Sequence, residues 1–471
     1  MKDSVLRYPL AAGGSMTPDG EATIGAGPIP DVHETSAADE RVIPRRAVVS
    51  WVLYDLANTI FSMGVVSAYF STWVRGEVGA DRADSVYGVI TAISMGIIFI
   101  ASPLLGAMTD RARRRMPFLV VSTVVCVGFT MLLARWGFYF TAVCFVIANI
   151  AYQAGLQFYD AMLPEVSHEG NRGKISGIGV GVGYLGSYIA IGLGMDAVFG
   201  SADKPFLFTM IALFFLLFAL PCFLFVRERG NPHPREVFGW QMVRESTGQT
   251  LHTLRSGSEY PGLVRFLVGR VFYTDPINTV ISIMMLYTIN VSVNTGLTQL
   301  QGEEVGKVIM MTAITFAVIG GFAWGWIVDK VGPKRTLNYV LYMWTGVFLL
   351  AAAVGILGLP LAFLYVVACS AGFALGGVWA ADRPYMLRLA PPSRIGEFYG
   401  LYGMVGRFSA VTGPLIWAGV SWLTISVFGL APHVGEGIGV LTLLVLIVVS
   451  YVILQPVSDT PKHWTARTHG R

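Results

Sequence analysis

The chain has 471 residues, 54% of them hydrophobic and only 13% charged, with a formal net charge of +4; ordinary soluble proteins are ~25% charged. Apolar runs beyond 18 residues repeat along its length, which points to an all-α polytopic membrane protein and away from a soluble domain. Its basic residues fall in short loops between those runs, not on one soluble face, which argues against a nucleic-acid partner.

Residues 1–44 are rich in Gly, Pro, Ala, Ser and acids and have no apolar h-region. They are expected to form a disordered cytoplasmic tail, not a cleaved signal peptide. The first span, within residues 51–70, carries Asp55, Asn58, Thr59 and Ser62 on one helix face. A carboxylate in hydrocarbon costs at least ~2.5 kcal/mol, so this face must meet protein or water.

Twelve spans are predicted, near 48–74, 85–109, 116–135, 138–163, 174–199, 206–226, 263–291, 304–328, 335–356, 359–384, 396–424 and 436–456. With both termini on one side, that side collects Arg111, Arg113 to Arg115, Lys330, Lys334, Arg335, Arg383, Arg388 and Arg394, and the other side few cations. Lys and Arg concentrate in cytoplasmic loops, so both termini are read as cytoplasmic. The polar interval 228–262 divides two bundles, 45–227 and 263–457, and residues 458–471 form a second cytoplasmic tail. Within that linker, residues 237–246 have the pattern of a short amphipathic piece or of plain linker.

The two halves repeat. Asp275, Asn278, Thr279 and Ser282 reproduce the first-span set 220 positions later. Gly106 to Arg111 after span two is echoed by Gly325 to Lys330 after span eight, and Asp160 by Asp382. Internal duplication of this kind recurs in secondary transporters.

Asp55 and Asp275 are the sharpest candidates. Facing a central cavity, they would bind a cationic group or exchange a proton; as structural groups they would bond backbone, with Asp275 capping a helix resumed at Pro276. Asn58 and Asn278 would add donors and acceptors on the same faces. Arg407 lies deep in span eleven and needs an anion, either Asp275 or a substrate carboxylate. Arg270 is nearer a span end and is expected to snorkel. Asn149, Gln153 and Gln157 make an amide stripe on span four that suits a cavity wall, while Ala371, Leu375 and Trp379 are its apolar counterparts on span ten.

Gly181-x-Gly183-x-x-Gly186 matches a dinucleotide fingerprint in letters only, since it sits mid-span with no preceding strand. Gly177, Gly179 and Gly183 are better read as helix-packing positions. Cys126, Cys144, Cys222 and Cys369 lie in apolar runs without a CxxC pair and read as small core residues. No ATP-binding loop, catalytic triad or metal-ligand cluster occurs, so no catalytic residue, metal or cofactor is expected, and none of the seven histidines falls in a predicted span.

The Gly-x-x-x-Asp-Arg loop after span two, with its second copy, resembles the signature loop of the major facilitator superfamily. Tyr54 to Thr59 resembles the first-span core of a narrower branch, the autophagy-related vacuolar amino-acid effluxers and their bacterial relatives, with Leu56 standing where Trp is usual and Thr59 for Ser. In the first signature loop Arg113 replaces the usual Gly, which Gly332 keeps in the second. The resemblance implies twelve transmembrane helices in two pseudo-symmetric six-helix bundles. It also implies a cytoplasmic gate built from Gly106, Asp110, Arg111, Arg115, Gly325, Asp329, Lys330 and Arg335, closed by ion pairs.

The expected function is a secondary active transporter of a small solute, an amino acid first, by alternating access in the efflux direction, with protons as candidate coupling ion. Asp55, Asn58, Thr59, Asp275, Asn278, Arg407, Gln153 and Gln157 would bind substrate or protons. The alternatives are a sugar, drug or organic-anion carrier of the same fold, or a non-transporting membrane sensor or scaffold. The expected setting is a bacterial plasma membrane, the expected partners the bilayer and the solute, and the expected state a monomer.

Overall fold

A computed structural model describes residues 42–195, 203–232, 234–237, 239, 244–248, 253 and 260–460. Most of the expected N-terminal tail, much of the 237–246 piece and the C-terminal tail beyond 460 lie outside the described residues.

Twelve long helices and no strands occur among the described residues: α1 (Arg45–Val78), α2 (Ala80–Arg111), α3 (Met116–Met131), α4 (Phe138–Asp160), α5 (Arg172–Leu193) and α6 (Lys204–Phe225). After the linker come α7 (Leu263–Asn294), α8 (Gln299–Val331), α9 (Pro333–Leu357), α10 (Ala362–Leu389), α11 (Ile395–Trp422) and α12 (Pro432–Leu454). Each apolar run becomes one helix because a lipid-exposed backbone must satisfy its own N–H and C=O groups. Eleven are long and apolar enough to cross a membrane. The exception, α3, has 16 residues, about 24 Å of helix. α12 begins earlier than its predicted span, which places His433 in its first turn.

Local chemistry sets the ends. The Asp203 carboxylate accepts the Phe206 amide at the start of α6, and Thr298 with Gln301 forms a capping box on α8. α7 runs unbroken through Pro276, so Asp275 is not the cap of a resumed helix. The two signature turns differ as the glycine replacement suggests. α8 ends on Gly332 at φ +89°, and Pro333 starts α9 at once, whereas α2 ends on extended Ala112 and needs residues 112–115 to reach α3.

The helices form two sets of six. α1 packs on α5 and α6, and α4 on α2 and α3; in the second set α7 packs on α8, α11 and α12, and α9 on α10 and α12. The sets meet along α2 with α11 and along α5 with α8, which exchange under the sequence repeat. Glycine makes these seams close. A Cβ on Gly177 would collide with the Gly321 carbonyl and the Gly325 backbone, and one on Gly106 with the Gly396 carbonyl. Gly179 and Gly183 give the same access to α1, beside Trp51, Asp55 and Thr59.

Candidate functional site

A cavity of ≈ 430 Å³ lies between the two sets, lined from α1, α2, α4, α5, α7, α10 and α11. One end of the molecule carries the basic loops 112–115 and 390–394 and the linker; it is called the basic face below. Ser282, one turn beyond cavity-lining Asn278 on α7 and farther from that face, is exposed.

The floor is ionic. Arg383, on α10, donates Nη1 to Asp55 Oδ2 at 2.9 Å and Nη2 to Asp55 Oδ1 at 3.4 Å. Its Nε lies 2.9 Å from Asp160 Oδ1 at the end of α4. One guanidinium from the second set therefore bridges two helices of the first. All three residues are buried, and the attraction across a low-dielectric floor is what offsets their desolvation. Next to them Arg270 pairs with Asp382 at 3.0 Å, and Asp382 also accepts hydroxyls from Tyr273 and Tyr402. The Arg270 guanidinium stacks 3.6 Å from the Tyr402 ring centre. Arg270 thus does not snorkel, and Arg383 is not a loop charge. Both are held because the acids beside them would otherwise be unpaired.

Arg407, higher on α11, donates Nη1 to Ser102 Oγ and Nη2 to the Gln153 carbonyl at 2.7 Å. Among the described residues its Nε has no partner and no carboxylate lies within ion-pair distance of it. Arg270, Arg383 and Arg407 balance Asp55, Asp160 and Asp382, but unevenly. The bridge at Arg383 carries two acids for one cation, and Arg407 carries a cation alone.

Asp275 contradicts the sequence expectation in position. It is buried off the cavity, where its Oδ1 accepts the Thr412 hydroxyl at 2.8 Å and so ties α7 to α11. Arg407 therefore does not meet it. Asn58 also misses the cavity lining; it is buried, and neither side-chain atom has a partner among the described residues. Thr59, Asn278, Gln153 and Gln157 do line the cavity. Thr59 bonds its own helix through the Asp55 carbonyl, and Gln157 Nε2 donates to the Ser102 carbonyl at 2.9 Å.

Of the residues expected to form a gate, Asp110 and Asp329 join the two sets at the basic face, and they do so through backbone amides, not ion pairs. Asp110 at the end of α2 accepts the Gly396 and Glu397 amides, both at 2.7 Å, in the first turn of α11. Asp329 at the end of α8 accepts the Gly173 and Lys174 amides of α5 at 2.7 and 2.9 Å. Each carboxylate caps a helix of the opposite set, satisfying orphan N–H groups and meeting the positive end of the helix dipole. Arg115 steadies Asp110 at 3.0 Å within its own set. Arg111 instead pairs with Glu245 of the linker, Lys330 stacks on the Trp326 ring, and Arg335 is exposed with no ion pair among the described residues. These three do not join the halves. Behind the gate, Glu228 accepts the Arg115 and Met116 amides and caps α3, and burial pushes its carboxyl above the ordinary range against the pull of those amides.

Sequence reasoning named one partner of the floor, Asp55, and passed over Arg383, Asp160 and Asp382 as loop charge or repeat landmarks. The available signal was charge bookkeeping: Asp382 and Arg383 sit inside an apolar run, and acids that deep need cations.

Residues 78–459 match the family described as "Vacuole effluxer Atg22 like". The chain is 25% identical over 427 residues to an uncharacterized MFS-type transporter of Bacillus subtilis (strain 168), covering 86% of this chain and 93% of that one. It is 24% identical over 308 residues to Autophagy-related protein 22 of Yarrowia lipolytica, covering 57% of this chain and 49% of the relative. Among solved structures, the human organic anion transporter TETRAN has a TM-score of 0.64 at 18% identity, over 87% of this chain and 98% of that one. The proton:xylose symporter XylE has a TM-score of 0.62 at 14% identity, over 88% and 94%. The twelve helices, their pairing across the two sets and these matches agree: the chain belongs to the Atg22-like vacuole effluxer family and is a membrane transporter of the major facilitator superfamily.

Proposed function

We propose that this transporter carries a small zwitterion, an amino acid, by alternating access, and that the form described above is the outward-open one, the basic face being cytoplasmic. The observation that carries the reading is the uneven charge of the cavity: Arg407 is without a carboxylate, while Asp55 and Asp160 share Arg383. A substrate carboxylate completes the first and an ammonium balances the second, each as a charge-assisted hydrogen bond. Thr59, Asn278, Gln153 and Gln157 supply polar contacts between the poles, and Met95, Leu156 and Val180 an apolar wall for a side chain. A proton taken by Asp55 or Asp160 is the coupling step.

The lone guanidinium also favours a second reading, a carrier of organic monoanions. Uptake into proteoliposomes of a radiolabelled amino-acid panel, with and without a pH gradient, decides between them. Amino-acid uptake that a monocarboxylate does not match, and that the pH gradient changes, supports the first. Uptake of monocarboxylates alone supports the second. Uptake insensitive to the gradient removes the proton.

A further inference from the structure

The two charged groups offered to the zwitterion are also the groups that hold the halves together at the cavity. Asp55 belongs to the first set, and its carboxylate is bonded to Arg383 of the second. Arg407 belongs to the second set, and its guanidinium is bonded to Ser102 and the Gln153 carbonyl of the first. Both line the cavity, so both are within reach of a bound solute while they make these bonds. A ligand ammonium at Asp55 competes with Arg383 for the same oxygens. A ligand carboxylate competes with a hydroxyl and a neutral carbonyl for Arg407, and an ionised acceptor makes the stronger bond.

We propose that the substrate is the key to a two-part latch, resting on the zwitterion reading above. The ammonium takes Asp55 and leaves Arg383 held by Asp160 alone; the carboxylate takes Arg407 and frees it from α2 and α4. With both inter-half ties weakened, the halves stay joined by Arg383–Asp160 and, at the basic face, by the helix caps at Asp110 and Asp329 and the Arg388–Glu169 ion pair at 3.4 Å, and these give way as the face opens. Selectivity then arises at opening as well as at binding. A solute with one charge releases one tie, occupies the cavity and is not carried. A ligand shifts such an equilibrium only through its differential affinity for the two states, and here the differential term is the loss of the competing inter-half bonds.

The test uses the full chain in lipid nanodiscs, with Cys369→Ala and spin labels on Arg114→Cys and Arg335→Cys. Both positions are exposed, at the basic ends of opposite sets, and their separation reports opening. Three probes are compared at equal concentration: a mixture of the twenty standard amino acids, 3-methylbutylamine and 4-methylpentanoate. The expected result is a longer 114–335 distance with the mixture and no lengthening with either single-charge probe. Arg383→Gln is expected to lengthen it without ligand, and Asp55→Asn, which leaves Arg383 on Asp160, to do so to a smaller extent.

The latch is overturned if monodisperse Arg383→Gln and Asp55→Asn keep the wild-type distance, or if one single-charge probe opens the face as far as the mixture. If the variants open and the mixture does nothing, the latch stands and the zwitterion as its key is overturned.

Discussion

Arg383 and Asp55 stand 328 residues apart in sequence and 2.9 Å apart in space, and that contact joins the two halves of the protein at the floor of its cavity. Because Arg383 also reaches Asp160, its removal leaves two buried carboxylates facing one another. Arg383→Met is therefore expected to cost about 3–5 kcal/mol, as for other broken buried pairs, read as a drop in melting temperature of the detergent-solubilised protein. Arg383→Lys is expected to recover only part of the loss, since one ammonium lacks the fork that meets two carboxylates.

Asp110 and Asp329 hold the basic face shut through amides, so the amide variant tests charge at nearly constant shape. Asp110→Asn and Asp329→Asn are each expected to weaken closure by about 1 kcal/mol, roughly a fivefold change in the open-to-closed ratio. Their effects should be close to additive, because the two caps share no partner. The separation of spin labels at the exposed positions 114 and 335, on opposite sets, measures the ratio.

Asp275 was expected from sequence to face substrate, and its position off the cavity gives the opposite prediction. Asp275→Asn keeps an oxygen for the Thr412 hydroxyl. It is expected to leave amino-acid affinity within about twofold and to lower stability by about 1 kcal/mol. Isothermal titration and thermal unfolding of the same preparation separate the two.

Glu228 supplies a pH-dependent contribution outside the spans. Burial raises its pKa above the ordinary glutamate value, so the folded protein holds a proton there at a pH at which the unfolded chain has released it. The stability from this site is present below the ordinary glutamate range and is lost as pH rises through the raised value. Glu228→Gln, which cannot titrate, is expected to flatten that part of the stability-versus-pH curve.

Span number and order were legible in the sequence because hydrocarbon leaves a chain few choices: long apolar runs between polar loops fix the helices. The site was legible in part. Asp55 and Arg407 announce themselves as isolated charges in apolar runs, and the cavity brings both to its wall. Asp275 announces itself as loudly, yet it lies off the cavity and bonds a hydroxyl on α11, an orientation that spacing along one helix does not encode. Arg383 was hidden by a boundary. The tenth span was expected to end near residue 384, which put Arg383 among loop charges, whereas α10 continues to Leu389 and keeps it inside. Asp110 and Asp329 were singled out by their motif, but their partners across the halves are backbone amides, and side-chain types along a sequence do not display those.

The account rests on Arg407 as the receptor for a substrate carboxylate. The most direct measurement is equilibrium binding of radiolabelled amino acids to purified wild-type and Arg407→Gln protein, each checked for monodispersity. Loss of a buried charged partner is expected to weaken binding by ~30-fold or more in the variant, with a normal melting profile. Equal affinity in the two proteins would contradict the account.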